Sequence, residues 1–383
     1  MGTGRNARMM VGIQEEKGQE AQELKRYMPR SITMETQTES AESEALTGNR
    51  FVEDEMTSAI YCDGDSNLEV NIESFPDLLK LAGFEENSEP NNFQTEVVES
   101  EDNTENTIKV EATYGLKAGD SIDIDIDTAT IDSVDHETKL VKLDEPLEEA
   151  PSAGDAVVNN DRYAHVFKTA LTIDYWATLI RDMRDEDMYS IFKDCKINSL
   201  NLNATSQAYL TLDVTWNGIK GDEVEDQAPE DDYTVDNLTG PKMVATDIDL
   251  LIDEEDATDI VDDFTTAVNN NLDTEDFGLN RTKQRRTLDV EEGEINLDFT
   301  AQFDRQMYLD LKEKEKENIY TEVEAQFDEG LAIEYPRVKV NSVEAPVDGP
   351  GKVTTSFNGN ALFDQTEETP MIVTVVDEND QKY

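Results

Sequence analysis

The feature that most constrains the fold is a set of four short segments that occur twice in the same order. The third segment is KINSL in its first copy and KVNSV in its second. In the first two segments apolar residues stand at every second position, which is typical of strands with one buried face. The shared order predicts a tandem duplication, in which each half builds a strand, strand, helix, strand, strand unit. The four matches are 31–50 with 262–281, 67–81 with 294–311, 196–200 with 339–343, and 215–218 with 356–359.

The first copy is interrupted by an insertion. Many more residues separate Ile72 from Asn198 than separate the corresponding Phe299 from Asn341. The excess lies within 92–165, where short alternating stretches are divided by Gly, Asp and Pro. Such spacing indicates short strands and tight turns, so we expect a small inserted β-barrel.

Within the insertion, isoleucines alternate with aspartates from Ile122 to Asp127, which predicts a strand with one buried and one acidic face. A calcium loop is the alternative. The order of ligands in an EF-hand, with its central Gly and closing Glu, is absent, so no metal is expected.

Together these patterns predict a mainly β protein, with two tandem copies of a β-sandwich or barrel unit, one flanking helix in each, and the inserted barrel. Helical periodicity is present at 75–84, 174–187 and 304–318. The expected division is a first domain at 1–91 and 166–226, the insertion at 92–165, a linker at 227–241, and a second domain at 242–383.

The charge is extreme, with 32 Lys plus Arg against 88 Asp plus Glu and a formal net charge of -56. Disorder would be one cause, but the apolar residues alternate as in strands and the acids are spread along the whole chain. Adaptation to molar salt is the preferred cause, because screening over about 3 Å at 1 M removes most repulsion between surface charges. The balance also argues against specific nucleic-acid binding, which uses clustered Lys and Arg.

Residues for catalysis are scarce. The only histidines are His136 and His165, and neither has a Cys or a second His at ligand spacing, so zinc sites and His-based triads lack their parts. Cys62 and Cys195 are far apart in sequence and are expected to be small core residues. A pair of carboxylates could still support glycoside hydrolysis, but such pairs carry little information in so acidic a chain. We therefore expect no enzyme activity and no cofactor.

Membrane insertion is not expected either, because no run of about 18 apolar residues occurs. The first twenty residues contain only a short apolar stretch and do not resemble a secretion signal. The sequence therefore predicts synthesis in the cytoplasm of a host cell.

Several of these motifs resemble those of the tail tube, or major tail, proteins of tailed viruses. The resemblance covers the chain outside 92–165 in scattered short motifs, namely VGIQEEKGQEAQ, ESEALTGNR, KDCKINSLNLNATSQAYLTLDVTWNG, LAIEYPRVKVNSV and FNGNALFD. It implies a structural virion protein that forms rings by joining strands into an inner β-barrel, with the rings stacked into a tube for DNA passage. The acidic composition suggests a virus of a halophilic archaeon.

The resemblance also implies an oligomeric state and a set of partners. One copy of the fold usually occupies one of six ring positions, so a duplicated chain would form a trimeric ring with pseudo-sixfold symmetry, with a hexamer as the alternative. Expected partners are the tape-measure, baseplate and tail-terminator proteins. DNA would pass without specific binding, repelled by an acidic bore. A capsid or surface-layer β-protein is the competing structural interpretation.

Contacts between stacked rings are predicted in two long polar loops, 40–62 and 269–288, which occupy similar places in the two halves. They carry rare cations in an acidic chain, and Arg is suited to paired contacts with carboxylates. The predicted ring-stacking residues are Asn49, Arg50, Asn280, Arg281, Arg285 and Arg286.

Overall fold

A computed structural model describes most of the chain. The described residues are 7–42, 55–125, 127–186, 188–221, 223–225, 228–238, 240, 242–245, 248–253, 255–278, 282–347 and 352–383. They form 25 β-strands and two α-helices. The prediction of a mainly β protein is confirmed.

The strands are numbered in chain order. Those up to the end of the inserted segment are β1 Ala7–Gln14, β2 Glu23–Tyr27, β3 Pro29–Ile32, β4 Glu35–Glu42, β5 Glu55–Glu69, β6 Phe84–Glu86, β7 Asn91–Glu96, β8 Thr107–Lys109, β9 Ser121–Ile124, β10 Asp127–Asp135, β11 Leu140–Leu143 and β12 Ala156–Thr169. Those that follow are β13 Trp176–Met183, β14 Met188–Thr205, β15 Thr211–Gly218, β16 Glu223–Glu225, β17 Thr234–Asn237, β18 Ile248–Ile252, β19 Glu255–Asp256, β20 Val261–Asn269, β21 Glu294–Gln302, β22 Tyr320–Phe327, β23 Leu331–Glu344, β24 Thr354–Ala361 and β25 Ile372–Asp377. The helices are α1 Phe75–Leu81 and α2 Arg305–Glu317, with 3-10 turns at Arg184–Glu186, Pro229–Asp231 and Thr258–Ile260.

Eight long strands form the sheet that organises the molecule. Their order is β4–β5–β15–β14–β20–β21–β24–β23, and every neighbouring pair is antiparallel. The first four strands come from the first half of the sequence and the last four from the second. The pair β14–β20 is therefore the junction between the halves.

The order of pairing is the same in the two halves. In the first half it runs β5–β15–β14–β13, and in the second it runs β21–β24–β23–β22. Helix α1 follows β5 along the chain, as α2 follows β21.

The repeated KINSL and KVNSV segments contain a β-bulge at the same place. The register shifts between Ile197 and Ser199 in β14, and between Val340 and Ser342 in β23. The extra residue is an asparagine in both, Asn198 or Asn341. A bulge leaves one residue unpaired and increases the local twist, so this Asn-Ser motif marks a bend in each copy.

The fourth matched segment is offset between the halves. Ser199 lies opposite Thr215, whereas Ser342 lies opposite Asn358, two residues beyond the Ser356 that matches Thr215 in sequence. A shift of two residues keeps every side chain on its own face of the sheet. The residues of β15 and β24 therefore keep their apolar side chains on the buried face and their polar side chains on the other face, despite the offset.

One face of the eight-strand sheet is apolar and is covered by both helices. It contributes Leu212, Trp216, Leu297 and Phe357 to a single large core that also contains Leu78 of α1 and Leu311 of α2. Helix α2 is capped at its N-terminus by Asp304, whose carboxylate accepts a hydrogen bond from Met307 N at 2.8 Å, and at its C-terminus by Asn318 in a left-handed conformation.

The inserted segment closes into its own small barrel. Its strand order is β7–β12–β9–β10–β11–β8, and a bridge between Val97 and Val110 returns the last strand to the first. A separate apolar cluster, which includes Phe93, Ile108 and Ile122, fills its interior. The alternating Ile-Asp run lies partly in β9, where Ile122 and Ile124 are buried, while Ile126 lies outside the described residues.

The prediction of a helix at 174–187 was wrong. This segment forms β13 and a 3-10 turn, with β1 on one side and β14 on the other. Ala177 and Leu179 belong to the large core and Ile180 to a second apolar cluster, so both faces of β13 are covered and residues 177–180 are all buried. A strand buried on both faces loses its period-two pattern and cannot be separated from a helix by periodicity.

In the segment predicted as a linker, β17 pairs in parallel with β2.

Two glutamates face each other across β22 and β23, which makes the stability of the second half depend on pH. Glu324 lies directly opposite Glu334. Burial, followed by repulsion from Glu324 and other carboxylates, raises the pKa of Glu334 from 4.5 to about 7. The folded state therefore holds an extra proton between these values, and the free energy of unfolding falls as pH rises through this window.

We expect Glu334→Gln to remove this dependence, because the amide keeps the shape without the charge. The variant should raise the free energy of unfolding by on the order of 2 kcal/mol at pH 8 and change it little at pH 4. Denaturant unfolding at the two pH values measures this difference. Glu313→Gln on the exposed side of α2 is the control, and equal effects of Glu334→Gln at both pH values would contradict the assignment.

Candidate assembly interface

The second face of the eight-strand sheet, here called the polar face, is covered with short polar side chains. Alternation along each strand places them opposite the apolar core. Its members are Asp63, Asp65, Asn67, Ser199, Asn201, Asn203, Asp213, Thr215, Thr265, Asn269, Asn296, Asp298, Thr300, Asn341, Asn358 and Asn360.

Hydrogen bonds between neighbouring strands tie the polar face together. Asp213 accepts from Asn67 Nδ2 at 2.6 Å through one oxygen and from Asn203 Nδ2 at 2.9 Å through the other. In the second half Asn358 Nδ2 donates to Asp298 Oδ1 at 2.6 Å. These three amides donate to carboxylates of this chain, whereas Asn360 Nδ2 donates to the amide oxygen of Asn296 at 2.8 Å. The face presents acceptor oxygens and the negative charge of its aspartates.

The junction between the halves is built around the bulge in β14. Asn270 N donates to the Asn198 carbonyl at 2.8 Å, and Leu272 N donates to Asn198 Oδ1 at 2.9 Å. Asn270 Nδ2 donates to the Ile197 carbonyl at 2.9 Å. The bulge therefore provides the acceptors that fix the end of β20 to β14.

Beyond this point, the described parts of the segment 270–290, which are 270–278 and 282–290, fold back over the end of the first half. Leu272 and Leu288 pack with Ile219 in a small buried cluster, which Trp176 borders. Lys196 Nζ donates to the Leu288 carbonyl at 3.1 Å and lies 4.4 Å from the centre of the Trp176 ring. Burial lowers the pKa of Lys196, as expected for an ammonium covered by protein.

Arg285 anchors the same segment to β5. Its guanidinium forms a bidentate ion pair with Asp63, with nitrogen-oxygen distances of 2.6 and 2.9 Å. It also donates to the carbonyls of Gly218 and Thr274 and lies 4.0 Å from the centre of the Tyr61 ring. Only 4% of Arg285 is exposed, so its guanidinium forms its hydrogen bonds and ion pair within the chain.

The predicted ring-stacking residues fall into three groups. Asn49, Arg50, Asn280 and Arg281 lie outside the described residues. Arg285 is buried, so the subunit itself explains its presence. Arg286 is the exposed member, with 62% of its side chain accessible and an ion pair to Asp276. A contact with a stacked ring stays a prediction.

Both ends of the eight-strand sheet have an edge for further pairing. Within the described ranges β4 pairs with β5 alone, and β23 from Val340 onward pairs with β24 alone. The Val343 carbonyl points away from β24 and accepts a hydrogen bond from Lys312 Nζ of α2 at 2.9 Å. Covering an edge strand with part of a helix is one protection against uncontrolled pairing.

Sequence reasoning found the repeated Asn-Ser motif but not its role as an acceptor for the other half. It also missed Asn270, whose backbone and side chain both bind the bulge. The available signal was the position of Asn270 at the end of an alternating strand, where a side-chain amide can continue the ladder.

The two histidines lie in different surroundings. His165 is buried, with Nδ1 2.7 Å from Glu86 and Nε2 3.3 Å from Asp377. Burial lowers its pKa, but hydrogen bonds to Asp377 and Glu86 outweigh this and raise the pKa overall. His136 is partly exposed and lies 2.9 Å from Thr113 Oγ1. The described residues contain no cluster of three or more His, Cys, Asp or Glu with metal-binding geometry.

Cys62 and Cys195 are both free and buried, as predicted. They lie on either side of Gly218 in β15, which pairs with Cys62 through one edge and with Cys195 through the other.

An eight-strand sheet with a buried apolar face, a polar face and two edges is typical of β-proteins whose edges can pair with further strands. A family model described as phage tail tube protein matches residues 4–361, and the chain therefore belongs to that family. It is a structural component of a virus tail. A search of curated proteins found no match to the chain. None of the helices in the described part is both long and apolar enough to span a membrane.

Proposed function

We propose that the protein forms a closed ring in which β23 of one copy pairs with β4 of the next. The observation that supports this is the β14–β20 junction, because it joins two halves with the same strand order. β23 occupies the place of β14, and β4 occupies the place of β20. Closing the sheet on itself would pair both edges.

The junction also gives the register of the proposed contact. Ser199 lies opposite Asn269, one residue after the bulge at Asn198. The matching residue after the bulge at Asn341 is Ser342. The pairing β14–β15–β5 in the first half can be compared residue by residue with β23–β24–β21 in the second. In this comparison Gln37 of β4 has the same position as Asn269 of β20. Ser342 of one copy therefore lies opposite Gln37 of the next.

Three copies are the preferred number. Each chain contributes two units, so three chains would complete a ring of six units with pseudo-sixfold symmetry. Six copies of the whole chain are the alternative. Stacked rings would form the tube, with the tape-measure, baseplate and tail-terminator proteins as its partners.

The polar face would line the channel, because the opposite face is buried under α1 and α2. Its carboxylates repel phosphate, and its amides are already bonded to neighbouring strands. DNA would thus pass without the counterion release that drives binding to a basic surface. A halophilic host fits the net charge of -56, since molar salt screens repulsion between copies.

Ring and tube formation by the purified protein in roughly 3 M salt tests the proposal, since screening is strongest there. We expect rings with a central hole and a native mass three times the 43.1 kDa of the chain. A mass of six chains would favour the hexamer, and a monomer at all concentrations would overturn the proposal. Shorter tubes for Arg286→Glu, with rings intact, would support a role in stacking, and unchanged tube length would reject it.

A further inference from the structure

The second half exposes an apolar and cationic surface at the start of β22 and the end of β24. Tyr320 is 43% exposed, Ile319 is 45% exposed and Phe363 is 55% exposed. We call this surface the second-half patch and define it as Ile319, Tyr320, Arg337, Lys339, Leu362 and Phe363. Arg337 holds it together, 4.0 Å from the centre of the Tyr320 ring and 3.2 Å from the Phe363 carbonyl.

The first half has the same surface, but there it is covered. Lys196 and Lys339 both stand two residues before the bulged asparagine. Trp176 and Tyr320 both begin the strand beside that lysine. The first-half surface is buried under Leu272 and Leu288 of the segment 270–290.

Backbone hydrogen bonds support the same correspondence for the third apolar residue. Ile219 N donates to the Asp194 carbonyl, and Leu362 N donates to the Arg337 carbonyl. Both bonds lie one residue beyond a matching ladder pair, Cys195 with Gly218 and Val338 with Ala361. Ile219 is buried beneath the segment 270–290, whereas Leu362 is partly exposed.

The order of the strands identifies what would cover the second-half patch. The segment 270–290 connects β20 to β21, the hairpin that pairs with β14. In the proposed ring the hairpin that pairs with β23 is β4–β5 of the next copy. In that ring the ends of β4 and β5, at Glu42 and Glu55, would therefore lie next to the second-half patch, as the ends of β20 and β21 lie next to the first-half surface.

The composition of the β4–β5 hairpin suits this surface. It presents Met56, which is 60% exposed, and its connecting sequence contains Leu46, Phe51 and Val52. Its numerous acids include Glu39, Glu42 and Glu55, all exposed, which complement Arg337 and Lys339. Apolar anchors surrounded by opposite charges are typical of a specific interface.

We propose that the second-half patch binds the β4–β5 hairpin of a second copy of this chain. This rests on the proposed ring but goes beyond strand pairing, because it assigns a side-chain interface next to the β23–β4 ladder. Lys339 then becomes covered in the ring, as Lys196 is in the subunit.

Thiol cross-linking between two variant chains tests the interface. Met56→Cys and Phe363→Cys chains are mixed, assembled in high salt and treated with a short bifunctional thiol reagent. Cys62 and Cys195 are fully buried and should not react in the folded chain. A mixture of Gln37→Cys and Ser342→Cys chains tests strand pairing alone, and Glu101→Cys on the inserted barrel replaces Phe363→Cys as the exposed control.

We expect dimers containing one chain of each kind from both test mixtures and none with the Glu101→Cys control. Cross-linking of Gln37→Cys to Ser342→Cys without cross-linking of Met56→Cys to Phe363→Cys would overturn the interface and leave the ring standing. Failure of both would overturn the ring as well. Phe363→Glu should weaken ring formation about tenfold, because a buried phenylalanine contributes at least this much, and an unchanged assembly curve would contradict the proposal.

Discussion

Val343→Pro is expected to abolish ring formation while the subunit still folds. The Val343 carbonyl faces the free edge of β23, where Lys312 Nζ binds it. The N–H and C=O of one strand residue point to the same side, so the Val343 N–H also faces that edge. Proline removes this donor and is tolerated in edge strands, where the donor faces solvent.

Native mass and electron microscopy in high salt measure this effect. We expect only monomers for Val343→Pro at concentrations where the unaltered chain is fully assembled. Val343→Ala is the matched control, because it removes more of the side chain yet keeps the N–H. Rings from the proline variant, or their loss in both variants, would show that the backbone of β23 is not the joining edge.

Gly218→Ala is expected to lower the free energy of unfolding by about 3 kcal/mol, because the sheet has no room for a methyl group at this position. An added Cβ would lie 2.2 Å from Cys62 Sγ and 2.9 Å from Cys195 Sγ. Both sulfurs are buried on strands that pair with β15, so relief requires movement of the core. In the second half the matching position is Ala361, between Ile295 and Val338.

A double variant separates this collision from other effects of the methyl group. Cys62→Ala removes the nearer sulfur, so Gly218→Ala should cost less in that background, with a coupling of about 1–2 kcal/mol. Gly293→Ala is the control for backbone effects, since its Cβ would meet only Asn269 O at an ordinary 3.5 Å. Chemical denaturation of the unaltered chain, the two single variants, the double variant and the control gives these free energies. Additive costs of Gly218→Ala and Cys62→Ala would refute the explanation.

The strands were predictable where one face is buried and the other is polar. The period-two pattern in Leu297 and Phe299 identified β21, and α2 is close to its predicted range of 304–318. The pattern failed for β13, because apolar clusters on both of its faces bury four residues in succession. Periodicity reports only how many faces of an element are covered, and that number is a tertiary property.

The segment predicted as the loop 269–288 shows that burial is also difficult to predict for polar residues. The sequence analysis grouped Arg285 with Arg286 as ring-stacking residues, because a polar segment without periodicity gives no indication of which side chains are buried. In the structure Arg285 is buried against Asp63 and Tyr61, whereas Arg286 is exposed. The partner Asp63 is more than two hundred residues away, and pairing over such a distance exists only after both halves fold.

The sequence alone determined the mainly β class, the repeated order of segments, the buried cysteines and the acidic character of the protein. These follow from residue type and local period, which act over a few neighbouring residues. Only the tertiary structure decided that β14 joins β20, that 270–290 covers the first half, and that the matching surface of the second half stays exposed. Those contacts depend on which strand edges meet in space. The edges of β14 and β23 have similar sequences, and they differ because β20 pairs with β14 within the same chain.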